Sequence, residues 1–318
     1  MAGVKNGFGA RREVPSRLAA GSPGRRRAIY AAAGGLAAVV IAAVALASNL
    51  GGKGGPGPAP AQGGPYRPPS AAGTYQLPAG AVSRVEGVPV SALIANAQAQ
   101  LGRGQVTLPE RLPPAAPPLS SGGRPEVMFI CAEYWSQCAA ERWALVMALS
   151  KFGTFDTLKG TTSSATGTSP EIPTFSFYGA TYSSKYLSLV TDELETNTDV
   201  GEGEYPLLQP PTPQEMTMMK AWDRAPYTTV TLSLPFAYVG GRFLITTAQY
   251  DASAISQMSF QAAAASIISS ATDPVSRHAE AAAGYLVADF CALTREQPAR
   301  VCFQVPSSLT RTTASPGT

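Results

Sequence analysis

Histidine is nearly missing from this chain: His278 is the one imidazole in 318 residues. Neutral-pH acid–base catalysis leans on imidazole, so that route is closed to most of the molecule. A lone histidine and four scattered cysteines also leave no ligand set spaced for zinc, and no metal is expected. His278 follows Asp273-Pro274 on an expected helix, where a surface or capping role is the ordinary one. No phosphate loop and no G-x-S-x-G elbow occurs, so no cofactor and no serine-hydrolase chemistry is expected. Charge is scarce too, at 14% of residues.

What charge there is lies unevenly. Residues 1–27 carry Lys5 and six arginines against Glu13, a net of +6, so the remainder of the +3 chain sums to −3. Residues 28–48 carry no charge and are rich in Ala, Val, Ile and Leu. As a helix they reach about 30 Å, the thickness of a bilayer core. Arg25-Arg26-Arg27 abuts their start, which by the positive-inside rule puts the N-terminus in the cytoplasm and the body outside the membrane. The arginines therefore read as a membrane flank, with lipid as the partner of 28–48 and no nucleic acid expected. The alternative is a cleaved leader ending near Ala45-Leu46-Ala47. Either way the body is exported from the cytoplasm to an extracytoplasmic side that permits disulfides.

Gly, Pro and Ala dominate residues 49–123, which read as a linker holding one short amphipathic helix at 90–101. The compact domain is expected at 124–305, with 306–318 a disordered tail. Residues 126–131 form a short apolar run, as in a fully buried strand. A helical stripe of Leu145, Val146, Leu149 and Phe152 follows over 137–152. Residues 159–171 read as a loop, 174–178 as an aromatic strand, and 180–211 as an insertion. Thr212-Pro213-Gln214-Glu215 is a capping box opening a helix to Trp222. Strands are expected at 228–239 and 242–247 around a Gly240-Gly241 turn, then helices at 253–270 and 274–293. The acidic stretch Asp192, Glu193, Glu195, Asp199, Glu202 and Glu204 reads as a solvated loop before a calcium site. The fold class is α/β: a thioredoxin-like mixed sheet in the order β-α-β-α-β-β-α with an extra C-terminal helix.

The most telling segment is Cys131-Ala-Glu-Tyr-Trp-Ser-Gln-Cys138-Ala-Ala-Glu-Arg-Trp143. It resembles the pattern A-E-[WY]-C-P-x-C-A-A-E-R-W-A-L of a family of exported thioredoxin-like proteins known as domain of unknown function 929. Pro173-Thr-Phe-Ser-Phe-Tyr-Gly179, Pro235-Phe236 and the Cys291-x-Leu-Thr…Val-Cys302 segment also match. The resemblance covers more than half the chain. It implies the fold and a membrane anchor, and it implies no reaction. Trp135 and Ser136 stand where the pattern has a nucleophilic cysteine and its proline, and Cys131 stands where small residues are usual.

Thiol–disulfide exchange needs an accessible, low-pKa thiolate and a second thiol to resolve the mixed disulfide. Trp135 removes the first. Cys138 is then an inert core thiol, a lone attacker, or one half of a bridge to Cys131. Four cysteines allow three pairings. Cys291 and Cys302 flank a polar loop whose closure would add ~3 kcal/mol on the chain-entropy model, with two buried thiols the alternative. Thioredoxin-like enzymes set a cis-proline opposite the cysteines; Pro235 is preferred here to Pro173, because its strand runs into the Gly240-Gly241 turn. Glu133, Glu141 and Arg142 are expected to form an ion pair near the helix start. The leading function is a non-enzymatic module that binds another exported protein through the groove at Trp135, Ser136, Pro235 and Pro173. The alternatives are a thiol–disulfide oxidoreductase or isomerase using Cys138, with or without Cys131, and a structural envelope protein.

Overall fold

The computed structural model of the chain describes residues 73–269 and 273–312. The basic tail, the expected span 28–48, the first part of the expected linker and the last six residues lie outside the described residues. Among those described, no helix is long and apolar enough to cross a membrane.

Two helices come first, α1 (Ala81–Glu86) and α2 (Val90–Gln100), followed by the two-residue strands β1 (Glu110–Arg111) and β2 (Ser120–Ser121). Next come β3 (Arg124–Cys131), α3 (Ser136–Leu149), β4 (Gly153–Phe155), β5 (Lys159–Thr162), β6 (Pro173–Ser176), β7 (Tyr182–Ser184) and β8 (Ser188–Glu193). The chain continues with α4 (Pro213–Trp222), β9 (Phe236–Val239), β10 (Phe243–Ile245) and a 3₁₀ turn (Ser253–Ile255). It closes with α5 (Phe260–Ile268), α6 (Pro274–Leu293), α7 (Ala299–Cys302) and α8 (Ser307–Thr312).

β3 is the axis of a mixed sheet. It runs parallel to β8, from Glu126 opposite Ser188 to Cys131 opposite Glu193. On its other side it is antiparallel to β9, which turns through Gly240-Gly241 into β10. Both glycines have left-handed φ, +59° and +72°, the requirement of the two-residue hairpin turn expected there. A strand flanked on both sides and covered on both faces reads as unbroken hydrophobe, and Val127 through Cys131 are all buried. The capping box of α4 is complete: Thr212 Oγ1 accepts from the Glu215 N–H at 3.3 Å, and the Glu215 carboxylate accepts from the Thr212 N–H at 2.5 Å.

The parallel partner of β3 is not the aromatic segment that the sequence favours. That segment does form a strand, β6, but it pairs with β5 as a separate antiparallel ribbon. β8 takes the place instead, inside the expected insertion. Its Asp192-Glu193 ending looks like loop, because carboxylates are seldom buried without a partner. Two thirds of the expected 228–239 strand is irregular, and β9 starts only after Pro235. The expected 253–270 helix is the 3₁₀ turn followed by α5, with residue 270 outside the described residues.

Residues before 124 also enter the core. The sequence places one short helix there; α1 and α2 both form, and Ala81, Val85, Leu93, Ile94 and Ala97 are buried. The long, mostly apolar α6 fills the space between α2 and α3. Trp143 of α3 lies between Phe260, stacked at 5.1 Å, and Phe175, edge-on at 4.7 Å. Where α6 crosses α2, a Cβ on Gly284 would lie 2.3 Å from the Leu93 carbonyl oxygen. Gly284→Ala should therefore lower stability by about 1–3 kcal/mol in urea unfolding, the usual cost of overpacking. A gain of about 1 kcal/mol, the helix-propensity effect alone, would mean that the two helices do not meet this closely.

Candidate functional site

The site lies where β3 leaves the sheet. After Cys131 the chain turns through Ala132, Glu133 and Tyr134, and Trp135 is the N-cap of α3. No side chain caps this helix start; the Trp135 carbonyl accepts the Ala139 N–H at 3.1 Å. Cys138, the third residue of α3, is bonded to Cys131 across a Cα separation of 5.9 Å, within the ordinary disulfide window. Both cysteines are 0% exposed. Of the three states open to Cys138, the structure has the bridged one.

The same helix is tied to the sheet a second time. Glu193, the register partner of Cys131, receives the Arg142 guanidinium through Nε at 2.9 Å and through Nη2. Arg142 Nη2 also donates to the Ala132 carbonyl at 3.0 Å. Cys138 and Arg142 are four residues apart and share one face of α3. A disulfide thus joins α3 to β3, and one turn later an ion pair joins it to β8. The Arg142 partner differs from the expected Glu133 or Glu141. Glu133 accepts instead from the Ser176 hydroxyl, and Glu141 from the Gln249 N–H at 3.1 Å.

Trp135 is half-buried. Its Nε1–H donates to the Leu234 carbonyl at 2.9 Å, and the Leu234–Pro235 peptide is cis. Pro173 stands elsewhere: it opens β6, and its carbonyl accepts the Trp143 Nε1–H at 3.0 Å. Tyr134 stacks on Tyr205 at 4.1 Å and meets Trp135 edge-on at 5.8 Å. Ser136 sits half-buried as the first residue of α3. The next residue, Gln137, accepts from the Thr247 hydroxyl at 3.0 Å and anchors the segment after β10. Tyr205, Gln137 and Glu193 carry no sequence signal for these contacts, since each partner is remote along the chain.

The second disulfide joins Cys291 to Cys302 and brings the end of α6 to α7. Among the described residues, Cys291, Glu296 and Cys302 make the one grouping close enough to hold a metal ion, and its two thiols are consumed by that bond. His278 contacts Gln105 at 3.2 Å, and burial with neighbouring Arg277 lowers its pKa.

A family model described as Domain of unknown function (DUF929) matches residues 115–273, half of the chain. The chain belongs to this family. No curated protein and no solved structure matches it. The DUF929 region contains the Cys131–Cys138 bridge, the Arg142–Glu193 pair and the Trp135–Leu234 contact. It ends before the body of α6 and the second disulfide.

Within the DUF929 region, carboxyls crowd the corner. Burial, then the charge of Glu193, pushes Glu133 up to about 7, against the opposing pull of Arg142. Burial alone takes Glu141 up to about 7. Burial and then Glu215 take Asp192 up to about 8. Glu195 rises to about 7 by burial, although a hydrogen bond from Tyr134 opposes it. Asp192, Glu193 and Glu195 are thus interior groups, and only Asp199, Glu202 and Glu204 of the acidic stretch are solvated.

An unfolded glutamate sheds its proton near 4.5, whereas folded Glu141 keeps it to about 7. Between those values the folded state holds more protons, so stability is greatest below the window and falls as pH rises through it. The urea midpoint should decline from about pH 5 to about pH 8. Glu141→Gln, which stays neutral and still accepts from Gln249, should flatten that decline. A midpoint that climbs with pH over this range would contradict the assignment.

Proposed function

We propose that the chain is a membrane-tethered, extracytoplasmic domain of thioredoxin-like architecture that no longer exchanges disulfides and works by holding another exported protein. The strand arrangement supports the architecture. β8, β3, β9 and β10 lie side by side, with β8 parallel to β3, β9 and β10 antiparallel in turn, and a cis-proline just before β9. The charge-free stretch 28–48 behind Arg25-Arg26-Arg27 supports the tether, and two disulfides suit an oxidising compartment.

The burial of both sulfurs of Cys131–Cys138 carries the non-enzymatic reading. Exchange requires an incoming thiolate to reach a disulfide sulfur, and here neither sulfur meets solvent. Trp135 occupies the helix-start position from which a thiolate would attack, hydrogen-bonded to the residue before the cis-proline. In its place stands a half-buried aromatic front of Tyr134, Trp135 and Tyr205, the residue types that dominate binding hot spots. The second reading is a thiol–disulfide oxidoreductase using Cys131 and Cys138. The observation in its favour is that the bridge sits between the end of the central strand and the first turn of the following helix.

Reduction of insulin by dithiothreitol separates the two. The unaltered protein should leave the rate at background. Trp135→Cys combined with Ser136→Pro, which restores the resembled motif, should raise it. Turnover by the unaltered protein would overturn the non-enzymatic reading and leave the oxidoreductase.

A further inference from the structure

The far end of β3 carries a different surface. The segment leading through β2 into β3, the turn between β7 and β8, the Gly240-Gly241 turn and the end of α6 enclose a cleft of about 880 Å³. Arg124, Lys185, Arg242 and Arg295 line it, and no carboxylate does. That runs against the charge of the chain, which sums to −3 beyond residue 27. Among the described residues none of the four forms an ion pair with a carboxylate. Arg124 spends one N–H on the neutral Ser184 carbonyl at 2.5 Å and keeps its charge.

Two further features favour an anion here. Two of the C-terminal carbonyls of α6, which would repel one, are already engaged. The Phe290 carbonyl accepts from the Thr294 N–H at 2.9 Å and from its hydroxyl at 2.8 Å, and the Cys291 carbonyl accepts from the Glu296 N–H at 2.9 Å. The Arg295 backbone is also constrained. It has a left-handed φ of +55°, uncommon for a residue with a side chain, within the loop that the Cys291–Cys302 bond closes.

Three guanidiniums present paired donors matching the oxygens of a phosphate, and a concave site concentrates their field. A single carboxylate would leave most of that charge unanswered. Pro114, Leu119, Tyr186 and Leu293 complete the walls, so room remains for an apolar portion beside the charged one. We propose that this cleft binds a phosphate-bearing anion, gripped by Arg124, Lys185, Arg242 and Arg295. A phospholipid headgroup and a soluble phosphate ester share that chemistry.

The test is calorimetric titration of the full chain in a neutral detergent, with pyrophosphate in one arm and dihexanoyl phosphatidic acid in the other. At least one probe should bind saturably, more weakly as salt rises. Lys185→Gln combined with Arg242→Gln alters two exposed side chains and should keep the thermal midpoint. It should weaken binding by about tenfold or more, the effect of losing charge-assisted hydrogen bonds. Tighter binding of the phosphatidic acid would assign a lipid headgroup, and tighter binding of pyrophosphate a soluble ligand. No saturable uptake of either probe would overturn the proposal. So would uptake unchanged by the double substitution, which the basic tail 1–27 would produce.

Discussion

Arg142 sits inside the protein with no solvent around it, and the arrangement of the corner depends on where its charge is answered. A buried guanidinium is tolerable only with its counter-charge and hydrogen bonds in place; removing either partner typically costs about 3–5 kcal/mol. The answer comes from Glu193, the last residue of β8, and from the Ala132 carbonyl just after β3. This fixes the angle at which α3 leaves the sheet. Because Glu193 faces Cys131 in the parallel ladder, it also sets Cys138 within bonding range of Cys131. Disulfide and ion pair thus restrain successive turns of the same helix from two adjacent strands. An exchange site needs its sulfurs reachable and its helix start open, and this corner has neither.

Much of this scaffold can be read from local pattern. The run ending at Cys131, the stripe on α3, the capping box at Thr212 and the Gly240-Gly241 turn each rest on residues that meet within one element or one turn. The cysteine loop at the C-terminus is local in the same way. Unreadable features involve interior groups whose partners come from afar. β8 hides because Asp192 and Glu193 resemble a solvated turn until Arg142 and Glu215 are seen opposite them. From the sequence, Arg142 pairs with its neighbours Glu133 and Glu141; the fold brings Glu193 to it instead. α1 looks like spacer and α2 like an isolated linker helix, because the surfaces that bury them, α3 and α5 for α1 and α6 with Gly284 at the crossing for α2, lie far along the chain.

The two ends of β3 therefore differ in kind. At one, sulfur and guanidinium are turned inward and locked, leaving a half-buried aromatic front beside the cis-proline. At the other, cations line an open cleft with no ion-pair partner among the described residues. On the proposed topology, both ends belong to a body carried outside the membrane by residues 28–48.

The central claim is that the Cys131–Cys138 bond is an internal staple. Its most direct test is the rate at which dithiothreitol reduces that bond as urea is raised, read by alkylation and mass mapping. The account predicts that the bond stays oxidised in the native protein and becomes reducible only across the unfolding transition. Rapid reduction in native buffer, with the fold intact, would contradict it.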